Sequence, residues 1–146
     1  MTERIYSLLG DWDGIENIVA SKWGPAGQAI AHIECRLQLS GKALLQDYRA
    51  ERDGKPWLSA HAVFTVDEGH LYRLFWFDSS GFVPEHAALG SWHDDELHFV
   101  RVSTRGQTRH RYMFNGIEEY RLSLESSFDD GHSWTDVMHG HYRRIG

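Results

Sequence analysis

The feature that most constrains the fold of this chain is a series of roughly ten short runs in which apolar and polar residues alternate. The clearest run extends from Gln28 to Leu39, where every second residue from Ala29 onward is apolar. Because successive side chains of a strand point to opposite faces, this pattern predicts a strand with one buried face. Turn residues such as Asp53-Gly54 and Asn115-Gly116 separate neighbouring runs. With no internal helix strong enough for a parallel crossover, the pattern predicts an all-β fold with antiparallel neighbours.

The final strand, predicted from Ser133 to Arg144, favours a barrel over a sandwich. It is long enough to pair back onto the first strand, which opens at Gly10-Asp11-Trp12-Asp13-Gly14, and such closure removes exposed strand edges. Thr2 to Leu9 is predicted to form a short N-terminal helix with Thr2 as its N-cap. We therefore expect residues 1–146 to form a single domain, a roughly ten-stranded antiparallel up-and-down barrel.

Composition and charge narrow the classes of partner. The formal net charge of −6 and the lack of a Lys/Arg-rich run argue against nucleic acid. No stretch approaches the roughly 20 apolar residues of a membrane span, and the N-terminus lacks a signal-peptide core. We therefore expect a cytoplasmic protein without a membrane partner. The single cysteine, Cys35, lies in an apolar alternation, which predicts a buried structural thiol.

Short motifs along nearly the whole chain carry a family resemblance. The opening is Leu9-Gly10-Asp11-Trp12-Asp13-Gly14. The later motifs are Gln46-Asp47-Tyr48, Ala60-His61-Ala62-Val63-Phe64, Trp76-Phe77-Asp78-Ser79-x-Gly81, Gly90-x-Trp92, Arg109-x-x-Tyr112 and Trp134-x-x-x-Met138-x-Gly140-x-Tyr142-Arg143-Arg144. Together they resemble a bacterial family of calycin-like or lipocalin-like barrels of unknown function. The resemblance implies a closed lipocalin-like barrel and says little about activity.

A second, more distant resemblance concerns the last strand. His139 stands three residues before Tyr142-Arg143-Arg144, and the chain shares a Leu-Gly-x-Trp opening at Leu9. Both features resemble nitrobindin-like haem-binding barrels. That resemblance implies haem as a cofactor, His139 as the axial iron ligand, and a role in carrying or converting nitrogen oxides.

The residues of the last strand leave the direction of its histidines open. His139 and His141 are two apart, so they share one face and can act as a metal-ligand pair with a third group from a neighbouring strand. However, Met138, Gly140 and Tyr142 form the more core-like face. That parity favours solvated or structural histidines, unless a bulge turns them inward.

A second candidate group combines a histidine, an indole and a carboxylate. Trp76 and Asp78 share one face of an aromatic strand, and His61 lies in the middle of another strand. Inside the barrel they would form an orienting polar site in an apolar pocket. They would also suit general acid–base chemistry on an apolar substrate, the enzyme alternative. In the structural alternative, Trp76 is core and Asp78 caps the following turn.

Four polar-tipped residues complete the candidates. Tyr48, Arg109, Tyr112 and Tyr142 would suit a ligand carboxylate if they face inward, and would be ordinary cross-strand pairs if they face outward. The sequence thus predicts a barrel that binds a small, mainly apolar or amphipathic molecule in its lumen. A filled lumen, serving an interaction domain, stays open as an alternative. An exposed face bearing Trp57 or Trp92 would favour a homodimer.

Overall fold

The structure, a computed structural model, describes residues 4–21 and 24–146. The ten strands of the described residues, in chain order, are β1 (Gly10–Ile18), β2 (Gly27–Gln38), β3 (Ala43–Arg52), β4 (Lys55–Val66), β5 (Tyr72–Asp78), β6 (Ala88–His93), β7 (Glu96–Ser103), β8 (Gly106–Asn115), β9 (Glu119–Ser127) and β10 (Thr135–Arg144). Each strand pairs with its neighbours in the chain, and all pairs are antiparallel. No helix in the two described ranges has the length and apolar character needed to cross a membrane.

The last strand closes the barrel on the first, as the sequence predicted. β10 pairs with β1 from Trp12↔Arg144 through Ile18↔Met138. The sheet is therefore continuous, and neither β1 nor β10 presents a free edge. The all-β, ten-stranded antiparallel barrel is confirmed.

The N-terminal segment is shorter and tighter than predicted. A single 3-10 turn covers Arg4–Leu8, and the predicted N-cap Thr2 lies outside the described residues. The prediction of a short N-terminal helix is therefore corrected to one 3-10 turn. Ile5 and Leu8 are fully buried, and the Trp12 indole Nε1 donates a hydrogen bond to the Leu8 carbonyl at 3.0 Å. This turn plugs one end of the barrel, which we call the closed end.

Large aromatic side chains fill the closed half of the barrel. Trp12 and Tyr120 pack edge to face at 4.7 Å between ring centroids, and Phe99 lies 5.6 Å from Phe64 and 6.0 Å from Tyr112. Trp92 also belongs to this half, with the Arg4 guanidinium 3.8 Å above its ring, so it does not lie on an exposed dimerisation face. Cys35 is buried here, as predicted.

The opposite end, which we call the mouth, is less tightly closed. Strand β5 pairs with β6 only through Tyr72, Arg73 and Leu74. The mouth-side half of β5, which carries Trp76 and Asp78, therefore has no described strand partner on that side. The irregular connection 79–87 covers this gap.

Two glycines, on β1 and β10, leave space for the side chain of Tyr142 along the inner face of the barrel. Gly14 pairs with Tyr142 between β1 and β10, and Gly140 lies two residues before it on the same face of β10. A Cβ at Gly14 would overlap the Tyr142 ring edge, and a Cβ at Gly140 would overlap its hydroxyl. The absence of side chains at both positions lets the Tyr142 hydroxyl reach β1.

Candidate functional site

The mouth half of the lumen is a cavity of about 440 Å³. Its size falls within the range of small-molecule sites in proteins. The apolar part of the wall is Ile18, Ile33, Leu58, Leu122, Leu124, Val137 and Met138. The aromatic part is Tyr48, Trp57, Trp76, Phe82, Tyr112, Tyr120 and Tyr142. The polar part includes Glu16, Gln46, Asp78, Ser80, Arg101, Thr108 and His110. A mainly apolar wall with a few polar groups can both hold and orient an amphipathic molecule.

A buried carboxyl group stands on the β1 wall of the cavity. Glu16 is 1% exposed, and its two oxygens accept hydrogen bonds from the hydroxyls of Tyr48, at 2.5 Å, and Tyr142, at 2.6 Å. Burial raises the pKa of Glu16 above its usual 4.5, and the two hydrogen bonds only partly oppose this shift. Burial and the nearby Glu16 carboxylate also raise the pKa of both tyrosines, which stay protonated donors.

Trp76 and Asp78 form a second polar group at the mouth. The Trp76 indole Nε1 donates to Asp78 Oδ2 at 2.9 Å, while Asp78 Oδ1 accepts from the backbone N–H and the hydroxyl of Ser80. Burial alone would raise the pKa of Asp78, but the hydrogen bonds from Ser80 and Trp76 lower it overall. Asp78 therefore both fixes the indole and caps the turn. The Tyr48 ring lies 5.4 Å from Trp76.

Three further polar groups of the wall are incompletely paired. The oxygen Oε1 of Gln46 and the Nδ1 of His110 are buried and have no hydrogen-bond partner in the described part of the protein. Burial, and then the positive charge of Arg101, lower the pKa of His110 to about 4, so its ring is neutral at pH 7. Among the described residues, the hydrogen-bond acceptor of the Arg101 guanidinium is the hydroxyl of Thr108, at a long 3.4 Å. Buried polar atoms are normally paired, so these groups favour a bound molecule or water.

Five of the residues singled out by sequence lie in this wall. They are Tyr48, Trp76, Asp78, Tyr112 and Tyr142. On β3, β5, β8 and β10, side chains point alternately inward and outward away from the bulge on β10, and all five residues lie among the inward ones. Their role as ligand contacts stays a prediction.

His61 does not join them, and the expectation that it reaches the lumen is wrong. On β4 the inward residues are Ala60 and Ala62, which pair with Asp78 and Trp76 of β5. His61 lies between them and points outward, with its side chain 77% exposed and Nδ1 2.6 Å from Asp47. The lumen therefore contains no His61–Asp78 acid–base pair.

Arg109 also faces outward, between the inward residues Thr108 and His110 of β8. Its Nε donates to Glu125 at 2.9 Å, and its guanidinium lies 4.1 Å above the Trp134 ring. An inward Arg109 that contacts a ligand carboxylate is thus excluded. The residue acts in a cross-strand ion pair, which was the alternative.

His139 and His141 lie on the outer face of β10. His139 contacts Ser123 at 3.1 Å, and His141 contacts Glu119 at 2.9 Å. The bulge on β10 falls between Asp136 and Met138 and leaves His139 facing outward. Within the described ranges, no cluster of three His, Cys, Asp or Glu side chains is placed to hold a metal. His139 therefore does not fit the role of axial ligand to a haem held in the lumen.

The contacts of His139 superficially resemble a Ser–His–Asp relay. Its Nδ1 meets the Ser123 hydroxyl, and its Nε2 lies 3.4 Å from Asp136. However, Ser123 is only 4% exposed. A nucleophile needs access to its substrate, so this arrangement does not support nucleophilic catalysis.

An outer depression of about 530 Å³ crosses β2 to β5 and includes His61, Asp47 and Phe77. It is larger than the lumen cavity but is a shallow depression in the outer surface of the sheet. Its walls carry paired, exposed side chains such as His61 with Asp47. The lumen is the better candidate because its wall is mainly apolar and includes buried polar atoms that are unpaired among the described residues.

Sequence reasoning missed four polar residues of the wall: Glu16, Gln46, Arg101 and His110. The alternation of β1 could have placed Glu16 on the inner face, because Glu16 shares that face with Trp12 and Gly14. Arg101 likewise follows Leu97 and Phe99 at the period of two.

The fold is shared with several solved structures. Rv2717c from M. tuberculosis has a TM-score of 0.75 at 16% identity, over 97% of this chain and 95% of that one. The S-type phycobiliprotein lyase CPES from Guillardia theta has a TM-score of 0.67 at 10% identity, over 96% and 89% of the two chains. A protein of unknown function from the DUF3598 family of Nostoc punctiforme has a TM-score of 0.64 at 15% identity, over 98% of this chain and 49% of that one. At such identities the likeness concerns the fold alone. No protein-family model and no curated protein matches the sequence.

Proposed function

We propose that this protein is a binding barrel that holds one small, mainly apolar or amphipathic molecule in the mouth half of its lumen. The observation that carries the proposal is the cavity of about 440 Å³, whose mainly apolar wall includes buried polar atoms that have no hydrogen-bond partner in the part of the chain that the structure describes. A lumen evolved only for stability would be filled with side chains, as the closed half is. The likeness to a phycobiliprotein lyase is compatible with this general class and does not identify a ligand.

The enzyme and haem alternatives have weaker support. The enzyme alternative relied on His61 and Asp78, and His61 lies on the outer face, paired with Asp47. The haem alternative relied on His139, which also lies on the outer face. The resemblance to calycin-like bacterial barrels, the cytoplasmic location and the homodimer stay predictions.

Binding of the uncharged fluorophore N-phenyl-1-naphthylamine tests the proposal. This molecule brightens in apolar surroundings, and its two aromatic parts suit a wall that contains Trp76, Tyr48 and Leu58. We expect saturable binding with a stoichiometry of about one, as for a single enclosed site. Energy transfer from tryptophan to the fluorophore should accompany it.

Leu124→Trp fills the cavity and should weaken this binding by about tenfold or more, because the added indole occupies the space of the fluorophore. The matched control is Leu45→Trp, whose side chain points outward from β3 and is 40% exposed. Both variants are first checked by far-UV circular dichroism. Wild-type protein that fails to bind the fluorophore, or equal binding by folded Leu124→Trp, would overturn the proposal.

A further inference from the structure

We infer that the molecule held in the lumen carries an anionic group, such as a carboxylate, which pairs with Arg101 at the mouth. This inference rests on the proposed function and adds the chemical class of the ligand. Its basis is the guanidinium of Arg101, which lies in the cavity wall and has no carboxylate partner in the described ranges 4–21 and 24–146.

Arg101 lies where the lumen cavity and a groove at the mouth adjoin. It lines the lumen cavity and also a neighbouring groove of about 310 Å³ at the mouth, which Phe82 shares. The groove lies beside the gap left by the short pairing of β5 with β6. A head group at Arg101 would therefore sit at the entrance, with the body of the molecule extending toward Trp76 and Leu58.

The contacts of Arg101 leave its charge uncompensated. Its described partners are the Thr108 hydroxyl at 3.4 Å and the Phe82 ring, 4.5 Å from the guanidinium carbon. Burial lowers the pKa of Arg101, which is the direction expected for a cation withdrawn from water. Two neutral partners do not replace a counter-ion, and an unpaired, partly buried charge is unfavourable.

Other arginines of the barrel that are partly withdrawn from water have charged or carbonyl acceptors, and Arg144, for example, donates to the backbone carbonyls of Ile117 and Leu9. Arg109 and Arg111 both donate to Glu125 on the outer face, and Arg111 also meets Glu96. Each of these three guanidinium groups therefore has carboxylate or carbonyl oxygens as hydrogen-bond acceptors within the chain. Arg101 departs from this pattern at the mouth of the cavity.

The nearby acidic groups are engaged elsewhere or remain apart. Asp78 accepts hydrogen bonds from Trp76 and Ser80, and both oxygens of Glu16 are held by tyrosines. Glu85 lines the mouth groove but forms no described ion pair with Arg101. The two oxygens of a ligand carboxylate, or two of the three oxygens of a sulfonate, fit the forked donors of a guanidinium better than they fit a lysine.

Two fluorophores that share the same aromatic body can separate the contribution of an anionic group to binding from the contribution of the apolar part. 1-Anilinonaphthalene-8-sulfonate is N-phenyl-1-naphthylamine with an added anionic sulfonate. We expect Arg101→Gln to weaken binding of the sulfonate probe by about tenfold or more, since hydrogen bonds to charged groups contribute on this scale. The same variant should change binding of the uncharged probe by less than about twofold. Arg101→Lys should retain part of the preference for the anion.

The control is Arg121→Gln, which removes an exposed arginine from the outer face of β9, away from the cavity and the groove, and should leave both affinities unchanged. Equal weakening of both probes by Arg101→Gln would indicate a structural role and overturn the inference. An unchanged sulfonate affinity would also overturn it while leaving the proposed function intact. If wild-type protein binds neither probe, the proposed function itself fails.

Discussion

Removing one hydroxyl from the lumen should destabilise the barrel in a pH-dependent way. Tyr142→Phe deletes the donor to Glu16 Oε2 and leaves that buried oxygen without a partner, while Tyr48 still holds Oε1. A hydrogen bond to a charged group contributes about 1.5–3 kcal/mol, and one between neutral groups about 0.5–1.5 kcal/mol. The cost should therefore be about 2 kcal/mol where Glu16 is ionised and about 1 kcal/mol where it is protonated.

The sign of the pH dependence follows from the raised pKa of Glu16. Because the native state binds this proton more tightly than the unfolded chain, the contribution of Glu16 to stability falls as the pH rises from the unfolded value of 4.5 through the folded pKa. The Tyr142 hydrogen bond lowers that pKa, so its loss raises the pKa further. The difference in unfolding free energy between wild type and Tyr142→Phe should thus increase with pH.

Equilibrium unfolding in urea, followed by tryptophan fluorescence at about pH 5 and about pH 8, measures this difference. Tyr112→Phe is the matched control, because Tyr112 is buried in the same lumen and its hydroxyl forms no described hydrogen bond. It should cost less than about 0.5 kcal/mol at either pH. Two outcomes would refute the role assigned to Glu16. One is a loss of unfolding free energy in Tyr142→Phe that is no larger than the loss in the Tyr112→Phe control. The other is a loss in Tyr142→Phe that is as large at about pH 5 as at about pH 8.

Two further variants test the geometry of β10. Gly140→Ala should destabilise the protein by about 2 kcal/mol in urea unfolding, because the new Cβ displaces the Tyr142 hydroxyl. Gly24→Ala, which has open space around it, should cost less than about 0.5 kcal/mol, and equal costs would contradict the close packing at Gly140. His139→Ala should leave the absorption spectrum of haemin mixed with the protein unchanged. A histidine-ligated Soret band in wild type that this variant loses would show that His139 faces the lumen.

The fold could be predicted from the sequence because each strand carries its own signal. The period-two alternation of residues 28–39 and the tight turns fix strands locally, without knowledge of distant partners. The same parity placed Met138 and Tyr142 on the inner face of β10, as observed. The closure of β10 on β1 followed from the number and length of the strands.

The candidate site could be predicted only in part, because it depends on the face that each strand presents and on contacts between distant residues. Because β5 is aromatic on both faces, its sequence did not show which face of β4 points into the lumen together with Trp76. The expectation that His61 lies inside the barrel was therefore wrong. Glu16 and Tyr142 lie 126 positions apart, and only barrel closure brings them together. A single acidic residue on an otherwise apolar strand face does not reveal that partner.

The structural polar groups of the lumen differ from the functional ones in whether they have hydrogen-bond partners within the chain. Both oxygens of Glu16 and of Asp78 are hydrogen-bonded within the chain, so these carboxylates complete the wall without a ligand. By contrast, Arg101 and His110, on the adjacent strands β7 and β8, lack full partners among the described residues. The oxygen Oε1 of Gln46, on β3, is also unpaired among the described residues, but of these three groups Arg101 alone carries a positive charge. The anionic end of a ligand therefore meets that charge only if it faces the wall formed by β7 and β8. The lumen thus favours one orientation, with the anionic end at Arg101 and the apolar body against Leu58 and Trp76 across the cavity.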